Sequence, residues 1–110
     1  MPYIAPTHRE EFDFLIDQLA ERLVNEAQGC GYDGAFAGLL NYACTRLTLK
    51  VVRRQFGQMR YWLIAIISGT FKNMADEFYR RLGVPYENQQ IARSGDVDLY
   101  KEYLEEIEKM

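Results

Sequence analysis

One stretch constrains the fold more than any other: "THREEFDFLIDQLAERLVNEAQG", residues 7–29. Phe12, Leu15, Ile16, Leu19 and Leu23 recur at alternating three- and four-residue steps. That spacing places them along one stripe of a 3.6-residue helix and is incompatible with the two-residue alternation of a strand. Glu10, Asp13, Asp17 and Glu21 fall on the other side. Thr7 and Glu10 have the T-x-x-E spacing of a capping box, in which each side chain satisfies a backbone amide at the helix start. The pattern predicts a helix from His8 to Ala27 that stops at Gly29.

Three further segments follow. Gly29–Gly34 reads as a loop, and Asp33 is placed to cap a second helix carrying Phe36, Leu40, Ala43, Leu47 and Val51 at helical spacing, ending near Gln55 before Gly57. A third helix is predicted over Gln58–Leu82. Its first half, residues 61–67, is apolar almost all round, as expected of a helix central in a core or lying in a subunit contact. The β-branched residues there would also suit a strand, but the long helical register beyond them favours helix. Gly83 and Pro85 are expected to end it. A last helix over Val97–Lys109 presents Leu99, Tyr100, Tyr103, Leu104 and Ile107, with Glu102, Glu105, Glu106 and Glu108 around them. The expected fold is all-α: a small helical bundle of three long helices, each about 30 Å, plus a shorter C-terminal helix. The apolar residues at 61–67 point to an oligomer, most simply a dimer, although they could equally fill one monomer's core.

At 110 residues the chain is read as one domain spanning 1–110, with 97–110 as an accessory acidic helix. Apolar residues at 48% and charged residues at 26% place it among globular proteins rather than disordered ones. No run approaches the ~20 apolar residues of a membrane span, and the N-terminus lacks the basic-then-apolar order of a signal peptide. Cys30 and Cys44 are too few for a disulfide framework. They read as reduced thiols of a cytoplasmic protein.

The net charge of −3 hides a segregation. Residues 1–33 carry two bases against seven acids, residues 34–75 six bases and no acid, and residues 76–110 five bases against nine acids. Arg46, Lys50, Arg53 and Arg54 share one helix face, where like charges repel by a few tenths of a kcal/mol per pair. Solvent, the acidic first helix or a ligand has to offset that. A second cationic group, Arg80, Arg81 and Arg93, lies near Tyr79 and Tyr86. Arginine forks grip phosphate oxygens and tyrosine rings stack on bases, a pairing that suits a nucleotide. Arginines near a helix C-terminus are also favoured by the helix dipole with no ligand at all. Extended duplex nucleic acid fits poorly, because both ends of the chain are acidic.

Enzymatic chemistry is the weaker reading. The ladder Glu10, Asp13, Asp17 and Glu21 could bind Mg²⁺ only if carboxylates from a second helix converged on it, and the second helix has no acid after Asp33. His8 is the single histidine, so neither a zinc site nor an activated Cys30 has a partner in view. No P-loop, dinucleotide or nucleophile-elbow pattern is present. No cofactor and no metal is expected.

Three blocks, "MPYIAPTHREEFDFLIDQLAERL", "GLLNYACTRL" and "EFYRRLGVPYENQQIARSGDV", come in an order and spacing that resemble a family of small helical proteins of bacteria and their phages. Asn41, Tyr42, Arg46, Tyr79, Arg80, Arg81, Pro85, Tyr86, Glu87 and Gly95 stand at its motif positions. Leu39 stands where such proteins often have Glu, and the tail beyond Val97 is longer than usual. The resemblance implies an all-α fold and a phage or prophage setting; it brings no catalytic residues.

The resulting expectation is a non-enzymatic binding protein. Asn41, Tyr42, Arg46, Tyr79, Arg80, Arg81, Tyr86 and Arg93 would form a polar, cationic pocket, between helices or between subunits, that sequesters a small nucleotide-type immune signal. The alternative is an inhibitor or adaptor that docks on a host protein through its apolar or acidic helices. A metal-dependent nucleotide hydrolase ranks last. Expected partners are thus a small anion or a host protein, together with further copies of the chain, and no membrane.

Overall fold

The computed structural model describes residues 3–110 and is all-helical, with no strand among them. Met1 and Pro2 of the Met-Pro-Tyr-Ile opening lie outside the described residues. The elements are α1 (Pro6–Gly29), α2 (Ala35–Phe56), α3 (Tyr61–Phe78), a π-helical turn (Tyr79–Gly83), α4 (Val84–Ser94) and α5 (Asp98–Glu108). The chain divides into two compact units, Met1–Ile67 and Ser68–Met110, with the division inside α3.

In the first unit α1 and α2 form a helical hairpin. The helix α1 starts earlier than the capping-box spacing predicts. Pro6 occupies its first turn and Ala5 its N-cap, with no side-chain cap. Proline has its φ already set for a helix and lacks only a donor that would go unused there. Thr7 is therefore inside the helix, and the Thr7–Glu10 box does not form. Instead the Arg9 Nε donates to the Ile4 carbonyl at 2.9 Å and ties the entering chain to the first turn. The hairpin turn uses Gly31 at φ 82°, a left-handed conformation that glycine adopts at little cost. Asp33 does not cap α2. Its N-cap is Gly34, and the first amides are taken by turn carbonyls: Ala35 donates to Tyr32 at 3.3 Å and Ala37 to Gly34 at 3.2 Å.

The helix α2 ends as predicted, within a residue. Gly57 at φ 81° closes it, its amide donating to the Arg53 carbonyl at 3.2 Å. Arg53 Nη1 in turn donates to the Gly57 carbonyl at 2.8 Å. A cation there also meets the negative end of the helix dipole. The corner into α3 holds an edge-to-face pair, Phe56 and Trp62, with ring centroids 5.4 Å apart. Val52 and Leu63, close to them in sequence, are buried. With Ala35 they are the whole buried apolar core of the described residues. Residues 61–67 are helical, but Tyr61, Trp62, Ile64 and Ile66 remain exposed rather than filling a core.

The second unit departs furthest from the sequence pattern. Gly83 and Pro85 do not end the third helix. It passes into α4 through the π turn, in which the Val84 amide donates to the Tyr79 carbonyl five residues back. An α-helical proline would drive its ring into the carbonyl four residues earlier. Widening the turn by one residue relieves that contact, and Pro85 then sits in the first turn of α4. Gly83 keeps a helical φ of −69°. Its lack of a side chain matters for another reason: a Cβ there would come within 2.6 Å of the Tyr79 ring. The break at Gly95 is real, at φ 85°, with its amide donating to Ile91 at 2.8 Å. Then α5 follows.

Candidate functional site

Of the residues predicted to bind, Tyr42 and Arg46 are brought together on α2. With Thr45, Leu49, Lys50 and Arg53 they line a shallow hollow of about 360 Å³. All six lie on one face because successive steps of three and four residues return to the same side of a helix. Asn41 stands beside them, its Oδ1 accepting from the Thr45 hydroxyl at 3.3 Å. Thr45 and Leu49 were not singled out from the sequence. The signal was available in their spacing, one turn on from Tyr42 and Arg46.

The electrostatics of this face follow from its composition. The helix α2 contains Arg46, Lys50, Arg53 and Arg54 and no acid. Among the described residues no ion pair reaches any of the four; the ion pairs are Arg22–Glu26, Arg80–Glu77 and Arg81–Glu77. The acids of α1 therefore make no direct ion pair with the bases of α2, although the two helices pack in the same unit. The repulsion along α2 is left to solvent or to a ligand.

Tyr79, Arg80, Arg81, Tyr86 and Arg93 belong to the second unit, apart from Asn41, Tyr42 and Arg46 in the first. Tyr79, Arg80 and Arg81 stand in the π turn, Tyr86 and Arg93 on α4. Both Arg80 and Arg81 converge on one carboxylate, Glu77, with Arg81 Nη1 at 3.7 Å. The Glu77 side chain is only 20% exposed, so this is an organised acceptor rather than a passing surface contact. Sequence reasoning gave Glu77 no role here, yet the i+3 and i+4 spacing of the two arginines marks it. Exposed Tyr86 sits one residue past Pro85, and Arg93 lies in the last turn of α4, where the dipole favours a cation.

The acid ladder on α1 stays on one helix. Among the described residues no group of three or more His, Cys, Asp or Glu is placed to hold a metal. Cys30 and Cys44 are free thiols, and Cys30 Sγ contacts the Glu26 carbonyl at 3.4 Å. No helix among the described residues is long and apolar enough to cross a membrane.

An all-helical chain with a cationic, ring-flanked helix face is the class defined by these features. The chain belongs to the family described as a domain of unknown function (DUF6899), whose model matches residues 1–97. The match ends at Val97, the N-cap of α5, so the acidic helix Asp98–Glu108 lies beyond the matched residues. No curated protein and no solved structure matches the chain.

Proposed function

We propose that this protein binds a small phosphate-bearing, nucleotide-type anion on the cationic face of α2, and holds it without turning it over. The observation that carries the reading is the cluster of Arg46, Lys50 and Arg53 around one hollow, with Tyr42 beside it and no acid on the helix. Guanidinium groups offer paired donors to phosphate oxygens, and the tyrosine ring offers a stacking surface for a base. A hollow of about 360 Å³ falls in the range of small-ligand sites. Arg80, Arg81 and Arg93 are the second source of positive charge for the same ligand class, with Tyr79 and Tyr86 as stacking partners. In a phage or prophage setting such a protein would act by sequestering a nucleotide-type signal of host defence.

Native mass spectrometry of protein purified from cells without denaturation tests this. A retained phosphate-containing mass that is lost from an Arg46→Ala/Lys50→Ala variant is the expected result. An unchanged retained mass in that variant would remove α2 from the reading. Mg²⁺-dependent consumption of added nucleotides would move the protein to the hydrolase class.

A second reading rests on α5. Its Leu99, Tyr100, Tyr103, Leu104 and Ile107 are all more than half exposed beside Glu102, Glu105, Glu106 and Glu108. A face that is apolar and acidic suits a basic, apolar groove on a host protein. Removal of residues 98–110 would then abolish capture of that protein and leave small-anion binding intact.

A further inference from the structure

Among the described residues of the unit Met1–Ile67, three side chains are buried: Ala35, Val52 and Leu63. A segment of this size ordinarily buries about 60% of the surface its unfolded chain exposes. What stays uncovered is specific. On α1, Phe12, Leu15, Ile16 and Leu19 are between 45% and 60% exposed, and on α2, Leu47 and Val51 are 61% and 49% exposed. These are the stripes whose spacing makes the segments helical in the first place. Nearer the turn the same stripes meet: Leu23, Ala27, Phe36 and Leu40 line a common apolar hollow.

We propose that the uncovered apolar face of the α1–α2 hairpin receives a second copy of this chain, two hairpins closing into a four-helix bundle. The area is sufficient. Six half-exposed side chains of this size offer on the order of 500 Å² per copy and 1,000 Å² per pair, about the threshold for a specific interface. The charge identifies the occupant. In α1, Arg9 and Arg22 stand against six acids, a net of −4, while α2 carries four bases and no acid, a net of +4. No ion pair joins them within one hairpin. A two-fold related copy brings its basic helix to the acidic one and its acidic helix to the basic one, so a single operation satisfies both. A foreign partner would need both stripes in the same register. Leu47 and Val51 follow Arg46 and Lys50 by one residue, about 100° round the helix. These bases therefore flank the stripe at the rim of the bundle, within reach of the partner's acidic helix, and the assembly itself rests on the apolar stripes rather than on the anion-binding reading.

Light scattering on the purified chain across a hundredfold range of concentration is the test. The expected mass is twice that of the chain or an even multiple, and the expected melting midpoint rises with concentration, as it must when folding is coupled to association. An Ile16→Glu/Leu47→Glu variant should lose the assembly. A variant that unfolds, beside a concentration-dependent midpoint in the unaltered chain, supports the same conclusion, because both show that the hairpin needs its second copy. A monomeric mass at every concentration overturns the proposal. So does a variant that assembles as the parent does, since the contact would then lie on another face.

Discussion

At the level of single residues, Gly83 is the most informative position. Its backbone is ordinary helix, so replacing it with alanine should gain about 1 kcal/mol of helix propensity. Against this, the new Cβ would lie 2.6 Å from Tyr79 Cδ2 and 3.1 Å from Cγ. An atom so near the root of the ring cannot be relieved by a small tilt, and forced repacking of that kind costs about 1–3 kcal/mol. Gly83→Ala is therefore expected to lower the melting midpoint of the parent. In a Tyr79→Ala background the clash is gone and the same substitution should raise it. A thermal melt of the four proteins reads the change of sign. Glu77 gives a smaller effect. Glu77→Gln keeps an acceptor oxygen but removes the negative charge that Arg80 and Arg81 share, and the side chains of these two arginines are 70% and 62% exposed. A loss of about 0.5–1 kcal/mol is expected, shrinking as salt is added, and a chemical denaturation series at two salt concentrations measures it.

The elements show how far local pattern carries. Periodic apolar spacing placed all four helical stretches recognised from sequence, because three- and four-residue steps gather apolar side chains into one stripe only on a helix, whether or not that stripe is covered. Helix ends were less legible. Thr7 and Asp33 are good cap residues, but Pro6 and the carbonyls of Tyr32 and Gly34 supply the start signals that the backbone uses. The helix α4 was missed because Gly83 and Pro85 are stop signals in an α register, and a π turn changes the register. The cationic face was legible as a spacing; the Glu77 clamp was present as one as well, at i+3 and i+4, but only the two converging side chains single it out. An element-level prediction concerns α5. It packs closely on no other element of its unit, and it lies beyond the residues that the family model matches. A chain ending at Val97 should lose the ellipticity of about one short helix and keep its melting midpoint within ~1 °C. Circular dichroism checks both, and a large fall in the midpoint would mean that α5 covers part of the apolar surface.

For the molecule as a whole, the alternation of acidic, basic and acidic segments creates two electrostatic tasks that salt should separate. An anion on α2 would be held by exposed cations, and the attraction between exposed charges is screened: the Debye length falls from about 10 Å at 0.1 M salt to about 3 Å at 1 M. Binding of a nucleotide-type anion should therefore weaken at least tenfold over that range. Association of two hairpins would draw mainly on half-exposed leucine, isoleucine, valine and phenylalanine side chains, and burial of apolar area is not screened. Its charged rims add steering and register more than affinity. At 1 M salt the assembled mass should persist while anion binding fades. Calorimetric titration and light scattering on one preparation at the two salt concentrations follow both quantities together. Parallel loss of the two would show that the charges of α1 and α2, rather than their apolar stripes, hold the copies together.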